Sequence, residues 1–392
     1  MDIQALNLSG KTVLVRVDFN VPVKDKKVTD TTRIEAAKPT IDYLLDQGAA
    51  VILMSHRGRP KGEYDEAFSM EPVRKAAQKV LGKDIVPMFS GLVVDDNVAR
   101  MARELKPGEI GLLENLRFRN EEKKNDPAFA KELASLADCY VNDAFGTAHR
   151  AHASNVGIVK ELPSALGFLM GKEVEVLSDL LNNPKRPFIA ILGGAKVSDK
   201  IAVIEHLMEV CDGILIVGAM ANTFLLSEGK NMGASLVEEG EMERAKMLVE
   251  KAEEKGVKLL LPTDLVVAKG IDEPKTAHTV SVDAIGDDEM ALDIGEDTVR
   301  RYGEVLKTAK SVVWNGPAGV FETKPFDKGT VALAELLGAL DADVVIGGGD
   351  SAAAITQAGL ADKMSHISSG GGASLEFLEG KSLPAIQAIE EV

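Results

Sequence analysis

The sequence predicts an α/β protein of two domains, each a doubly wound parallel sheet flanked by helices. Three observations carry this expectation. Short β-branched runs alternate with helical stretches along most of the chain, the pattern of a parallel sheet covered on both faces. At 392 residues the chain is longer than one hydrophobic core usually serves, and domains of about 100–200 residues are the norm. Charged and amide residues recur just past the strands, where open α/β sheets bind ligands.

In chain order, Thr12–Val17 reads as a strand ending in Asp18-Phe19-Asn20-Val21-Pro22. Thr31-Thr32-Arg33-Ile34 opens a helix running to about Gln47, with Gly48 as its stop. Ala50–Met54 is the next strand and ends in Ser55-His56-Arg57-Gly58-Arg59-Pro60. A helix from about Glu71 to Val80 follows. Ile110–Leu113 leads into Glu114-Asn115-Leu116-Arg117-Phe118. Asp126–Leu136 is a helix with Asp126 as cap and Pro127 at its first position. Cys139–Val141 then leads into a loop carrying His149 and Arg150.

A polar, Gly-containing stretch to Pro163 and a helix from Leu166 to Asn182 mark the passage to the second half. The domains are expected at 1–168 and 169–375, with 376–392 as a separate C-terminal segment. Strands follow at Phe188–Leu192, Gly213–Val217, Leu259–Pro262, Ser311–Trp314 and Val344–Ile346, with a helix over Lys328–Leu340 and a short one in Pro384–Val392.

Composition limits the function classes. Hydrophobic content of 45% and charged content of 27% are those of a soluble globular protein. A net charge of −16 argues against non-specific nucleic-acid binding. No apolar run approaches the roughly 20 residues of a membrane span, and the N-terminus lacks the pattern of a signal peptide. Cys139 and Cys211 are expected as buried free thiols. These features support a cytoplasmic protein, and the charge surplus is compatible with a monomer.

In an acidic chain, the arginines beyond strand ends are informative. Arg33, Arg59, Arg117 and Arg150 share one predicted sheet edge, and their planar donors suit carboxylate and phosphate. A single arginine is more often a solvated surface residue, but several at equivalent ends point to an anion site. His56 and His149 beside them favour anion contact over base catalysis. In the second half, Gly193-Gly194-Ala195-Lys196-Val197-Ser198-Asp199-Lys200 sets two lysines after paired glycines. Their i, i+4 spacing would put both on one helical face. Asn315 and Glu322 lie past another strand, and the carboxylate suits ribose hydroxyls.

Gly347-Gly348-Gly349-Asp350-Ser351 is strand, tight loop and helix start. Such a turn lets backbone approach an anion. Asp350 suits this role if Mg²⁺ lies between it and phosphate; otherwise Asp350 or Ser351 is a helix cap. Gly370-Gly371-Gly372 forms a second triple-glycine loop.

The motifs from Val17 to Pro22, Ser55 to Pro60, Glu114 to Phe118, Gly193 to Lys200, Trp314 to Phe321 and Gly347 to Ser351 together resemble the phosphoglycerate kinase family over the entire chain. The resemblance implies two Rossmann-like domains facing a cleft, the final residues returning to the first. Its first half would bind 3-phosphoglycerate or 1,3-bisphosphoglycerate through Asp18, Phe19, Asn20, Arg33, His56, Arg57, Gly58, Arg59, Arg117, His149 and Arg150. Its second half would bind ADP or ATP through Lys196, Lys200, Asn315, Glu322, Gly347, Gly348, Gly349, Asp350 and Ser351, with Mg²⁺ at Asp350. Arg33, Lys196, Gly371 and Gly372 would stabilise the transferring phosphoryl group, moved in line after domain closure.

Two departures stand out. The family usually has an apolar residue where Arg57 stands, so a solvent-facing role is the alternative there. It also has consecutive glycines where Val217 and Ala219 flank Gly218, which bears on the base pocket. A nicotinamide-dependent dehydrogenase is disfavoured because Gly-x-Gly-x-x-Gly is absent after an early strand. A non-catalytic phosphometabolite sensor would be expected to lack Arg33, Lys196 or Asp350, and all three are present.

Overall fold

The computed structural model describes residues 2–392. The chain packs as two units, one running to Glu175 and including Ser382–Val392, the other spanning Val176–Lys381. Both breaks fall a few residues beyond the positions expected. The first lies inside the helix Phe168–Asn182. That helix does not begin at Leu166 as expected. Leu166 instead ends a short strand, Ser164–Leu166, paired with Cys139–Asn142. The Asp143 carboxylate then accepts the Leu169 and Met170 N–H groups at 3.0 and 3.2 Å, capping the helix start.

The first unit is built on six parallel strands in the order Ile85–Met88, Ile110–Leu113, Ala50–Met54, Thr12–Arg16, Cys139–Asn142 and Ser164–Leu166. Alternation along Thr12–Arg16 divides its side chains between two cores. Val13 and Val15 join Ile34, Ile41 and Leu44 on one face. Leu14 joins Ile52, Phe129 and Leu133 on the other. Each such buried aliphatic side chain contributes roughly 1.5–3 kcal/mol. Asp126 caps Pro127–Ala134 through the Ala128 and Phe129 N–H groups, both at 3.0 Å. The terminal helix Pro384–Glu390 closes against this unit, with Ile389 in the second core and the Ala385 N–H on the Ala148 carbonyl at 3.1 Å.

The second unit has the same plan, in the order Lys258–Leu260, Gly213–Ile216, Phe188–Leu192, Ser311–Asn315, Asp343–Gly347 and His366–Ile367, all parallel. An antiparallel sheet of Asp264–Ala268 between His278–Ser281 and Met290–Ile294 is an addition the sequence reading did not anticipate. Cys139 and Cys211 are buried and unbridged, as expected. In each unit the strand order reverses beside the first strand, Thr12–Arg16 or Phe188–Leu192. This is the switch point at which adjacent loops part and leave a crevice.

Candidate active site

Four loops meet at the carboxyl edge of the first sheet. Asp18 accepts from Arg33 Nη1 at 2.9 Å, and the same nitrogen lies 3.3 Å from the Asn20 carbonyl oxygen. Arg33 sits in the first turn of the helix Thr32–Asp46. The Asn20 side-chain oxygen accepts the Gly58 N–H at 2.9 Å, so Asp18, Asn20, Arg33 and Gly58 are tied together. Phe19 turns its side chain away from the sheet edge. Its ring is fully buried in the core, and its N–H goes to the Ser55 hydroxyl at 2.9 Å. Arg59 is exposed.

Arg117 donates from Nη1 to the Gly58 carbonyl at 2.8 Å, while its Nε is buried without a partner. Burial first, then the charges of Arg150 and Arg16, lower its pKa to about 10. Glu122 opposes that shift and Arg59 adds to it. Cations this close disfavour one another until an anion joins them.

Both histidines are held neutral. Burial, then the charges of Arg16, Arg117 and Arg150, push His56 well below its ordinary range. Burial, then Arg150 and His152, bring His149 down to about 4. His149 Nε2 accepts from Arg150 Nε at 3.2 Å. An arginine only donates, so the His149 proton resides on Nδ1, which is buried and unpartnered. His56 receives Arg16 Nη2 on its Nδ1 at 3.1 Å. The two rings are thus opposite tautomers.

Arg57 does not face solvent. It is half-buried, donates from Nη1 to the Ser69 carbonyl at 2.8 Å, and gives its N–H to Asn115 at 3.1 Å. Asn115 also accepts the Arg117 N–H at 3.1 Å. Glu114, beneath, accepts from the Ser69 hydroxyl, the Met70 N–H and the Asn115 N–H at 2.9, 2.7 and 2.9 Å. Burial raises its pKa against these bonds. Arg57 is therefore a strut between two loops.

Arg16 was missed from sequence. It is fully buried at the end of its strand, yet its guanidinium reaches His56 and Ser154. The available signal was a charge inside a strand buried on both faces, where an ion needs a dedicated partner.

The second unit builds its site mainly from backbone. Gly193 and Gly316, past adjacent strands, are in such close contact that a Cβ on Gly193 would lie 2.3 Å from the Pro317 oxygen and 2.6 Å from the Gly316 oxygen. Lys196 and Lys200 do not share a helical face, because the helix begins only at Ile201. Glu238 holds the preceding loop out of helix by accepting the Ser198 N–H at 3.0 Å and its hydroxyl at 2.6 Å. Lys196 is exposed on that loop. Lys200 donates to the Asn315 side-chain oxygen. Burial lowers its pKa to about 8 against the charges of Asp199, Glu379 and Asp350. The Asn315 amide nitrogen is buried and unpartnered.

Gly347 ends its strand, and Gly348, at φ +90°, precedes the helix Gly349–Gln357. The cap is thus Gly348 rather than Asp350 or Ser351. Asp350 is exposed in the first turn, whereas Ser351 is buried and accepts the Gly316 N–H at 2.6 Å. Gly371, at φ +51°, precedes the helix Gly372–Leu378, with Gly372 exposed at its first position. Beside these loops a pocket of about 280 Å³ is lined by Gly194, Gly218, Ala219, Leu236, Leu292, Glu322 and Asp350, among others. Val217 is in the core and does not narrow it; only Ala219 borders it.

The family model described as "Phosphoglycerate kinase" matches residues 3–381. A protein of that name from Finegoldia magna is 56% identical over 386 residues, covering 98% of both chains. One from Moorella thermoacetica is 54% identical over 391 residues, covering 100% of this chain and 99% of its own. Among solved structures, phosphoglycerate kinase from Coxiella burnetii superposes with a TM-score of 0.90 at 41% identity, covering 100% of this chain and 99% of that one. The Pyrococcus horikoshii enzyme gives 0.83 at 33% identity, covering 100% and 98%.

Proposed function

Because this chain belongs to the phosphoglycerate kinase family and is a phosphate-transferring enzyme of glycolysis, we propose that its first unit binds 3-phosphoglycerate or 1,3-bisphosphoglycerate and its second binds ADP or ATP. The observation that carries the first assignment is the gathering of positive charge around Arg117, whose pKa is lowered by burial and then by Arg150, Arg16 and Arg59 and whose Nε is buried without a partner. A small polyanion would relieve that imbalance. On this reading Asp18 and Asn20 hold the glycerate, while Arg33, Arg59, Arg117 and Arg150 take its carboxylate and phosphate. His56 and His149 act as neutral donors. Phe19, Arg57 and Gly58 shape the loops that present these groups.

For the nucleotide, Lys200 and the Gly347–Ser351 turn contact phosphates, and Glu322 contacts ribose. The unpartnered Asn315 amide supports a phosphate oxygen in its neighbourhood. Among the described residues no three histidines, cysteines or carboxylates gather as a metal cage. One exposed carboxylate beside glycine amides fits a Mg²⁺ that arrives on nucleotide phosphates and keeps several waters. Asp350 would hold it there, and the ion would supply neutralisation of phosphate charge.

The chemistry needs positioning and charge neutralisation rather than a base. The acyl phosphate carries a good leaving group and the ADP terminal oxygen is already anionic. The transfer is direct and in line, with Arg33, Lys196 and the Gly371 and Gly372 amides meeting charge on the phosphoryl oxygens. Direct transfer requires both ligands to meet with water shut out, so the working cycle includes closure. No helix among the described residues is long and apolar enough to cross a membrane; we read the protein as a cytoplasmic monomer.

The test is ATP formation from 1,3-bisphosphoglycerate, ADP and Mg²⁺, comparing the parent with Lys196→Ala. Turnover that collapses while ADP still binds supports the assignment of Lys196. A parent that binds both ligands without turnover would leave only the sensor reading.

A further inference from the structure

Glu122 is a fully buried carboxylate that no role above employs. Its surroundings form a one-directional chain. Glu122 Oε1 accepts the Ser154 hydroxyl at 2.6 Å, and its Oε2 accepts the Ser154 N–H at 3.0 Å. The Ser154 oxygen in turn accepts Arg16 Nε at 2.9 Å. Arg16 Nη2 then meets His56 Nδ1 at 3.1 Å. Tyr140 fixes the same segment by donating to the Ser154 carbonyl at 2.8 Å. His152 Nδ1 lies 3.6 Å from Glu122.

The direction of every bond follows from chemistry. A guanidinium has donors and no acceptor. The Ser154 oxygen therefore receives Arg16, and its own proton must go to Glu122. At the other end, His56 Nδ1 must present a lone pair to Arg16, so the ring proton is on Nε2. The carboxylate supplies the counter-charge that keeps Arg16 buried and aimed. Burial opposes the charged form of Glu122, but the His152 contact, the Arg16 charge and the Ser154 bonds outweigh it and hold its pKa below the ordinary value.

We propose that Glu122 is a positioning residue which, through Ser154 and Arg16, locks His56 as the neutral tautomer bearing its proton on Nε2, the form that donates to the glycerate anion. This rests on the phosphoglycerate reading of the first unit. The carboxylate and phosphate oxygens of the ligand accept hydrogen bonds, so a ring presenting a lone pair to them would repel them. The Glu122 lock removes that alternative before the ligand arrives, which lowers the cost of ordering the site.

The tautomer can be read directly on the full chain with ¹⁵N-labelled histidine, using two-bond correlation NMR and His56→Gln to assign the ring. The expected result is a protonated Nε2 and an unprotonated Nδ1 on His56 in the ligand-free parent. Glu122→Gln should yield a mixture of tautomers and raise KM for 3-phosphoglycerate about tenfold, the scale of one hydrogen bond to a charged group. Its kcat and nucleotide KM should stay within about twofold. If Glu122→Gln does not fold, Ser154→Ala cuts the same chain by removing one oxygen and decides the matter. A proton on Nδ1 in the parent, or a folded variant with an unchanged His56 tautomer, overturns the proposal. If 3-phosphoglycerate leaves the His56 signals unmoved, the substrate reading fails while the tautomer assignment stands.

Discussion

The two units share one sheet plan but build their sites from different materials. The first uses long side chains anchored to neighbouring loops: Arg117 to Gly58, Arg33 to Asp18, Arg16 to His56 and Ser154. The second uses backbone, with glycines pressed together and two exposed charged groups, Lys196 on a loop and Asp350 in the first turn of a helix. A compact anion is recognised by rigid, forked donors that are costly to assemble, hence the buried carboxylates beneath them. A phosphate chain is better met by amides and a few exposed charges able to follow the transferred group.

This contrast can be broken most sharply at Lys196. Lys196→Ala is expected to lower kcat by about 10²–10³, the usual cost of one donor to transition-state charge, with ADP affinity nearly unchanged in calorimetry. An equal loss of ADP affinity would make Lys196 an ordinary phosphate contact.

Backbone packing comes next. Gly193→Ala places a Cβ against two carbonyl oxygens, so the switch-point loops must part. A loss of about 1–3 kcal/mol is expected in thermal melts. Gly349→Ala meets nothing within 4 Å and should melt like the parent. Equal behaviour of the two variants would refute a site built by glycine contact.

A third test uses pH. Lys200 titrates near 8 in the fold against an ordinary 10.5. Between those values the folded chain holds fewer protons than the unfolded one, so this group makes stability rise with pH across that window. Phosphate affinity runs the other way, because charged Lys200 attracts phosphate. ADP binding should weaken as pH rises past about 8 in the parent, and this break should vanish in Lys200→Met.

The smallest effect is expected at Arg57. Arg57→Met removes one bond to the Ser69 carbonyl and should cost about 1 kcal/mol in chemical denaturation. KM for 3-phosphoglycerate should change less than twofold. A large rise in KM would return Arg57 to the substrate set.

Much of the scaffold was legible. Ala50–Met54, Ile110–Leu113 and Phe188–Leu192 were read with the bounds they have, because continuous apolar runs bounded by turns mark strands buried on both faces. The strands that escaped are short or peripheral. Ile85–Met88 is an edge strand containing Pro87, and His366–Ile367 has only two residues. Pro87 interrupts the apolar run of the first, and the second is too short to show a period. Candidate site residues past the strands were visible as types, but their partners were not. Arg57 and Arg59 are two residues apart, yet one is a strut and the other exposed. Nothing local distinguishes them, since the strut depends on Ser69 and Asn115 arriving from other loops.

The amino-acid sequence alone determined the strand–helix alternation, the order of the loops at the sheet edges and the places where only glycine lets backbones meet. These follow from side-chain periodicity and φ preference, which act over a few residues. Tertiary structure decided which arginines are buried, which way each histidine ring carries its proton, and that Lys196 stands on a loop rather than a helix. Those outcomes rest on partners far apart in the chain, such as Arg16 with Ser154 and Ser198 with Glu238. Electrostatic and hydrogen-bonding energies depend on distance and burial in space, and both are set only when the sheets have assembled.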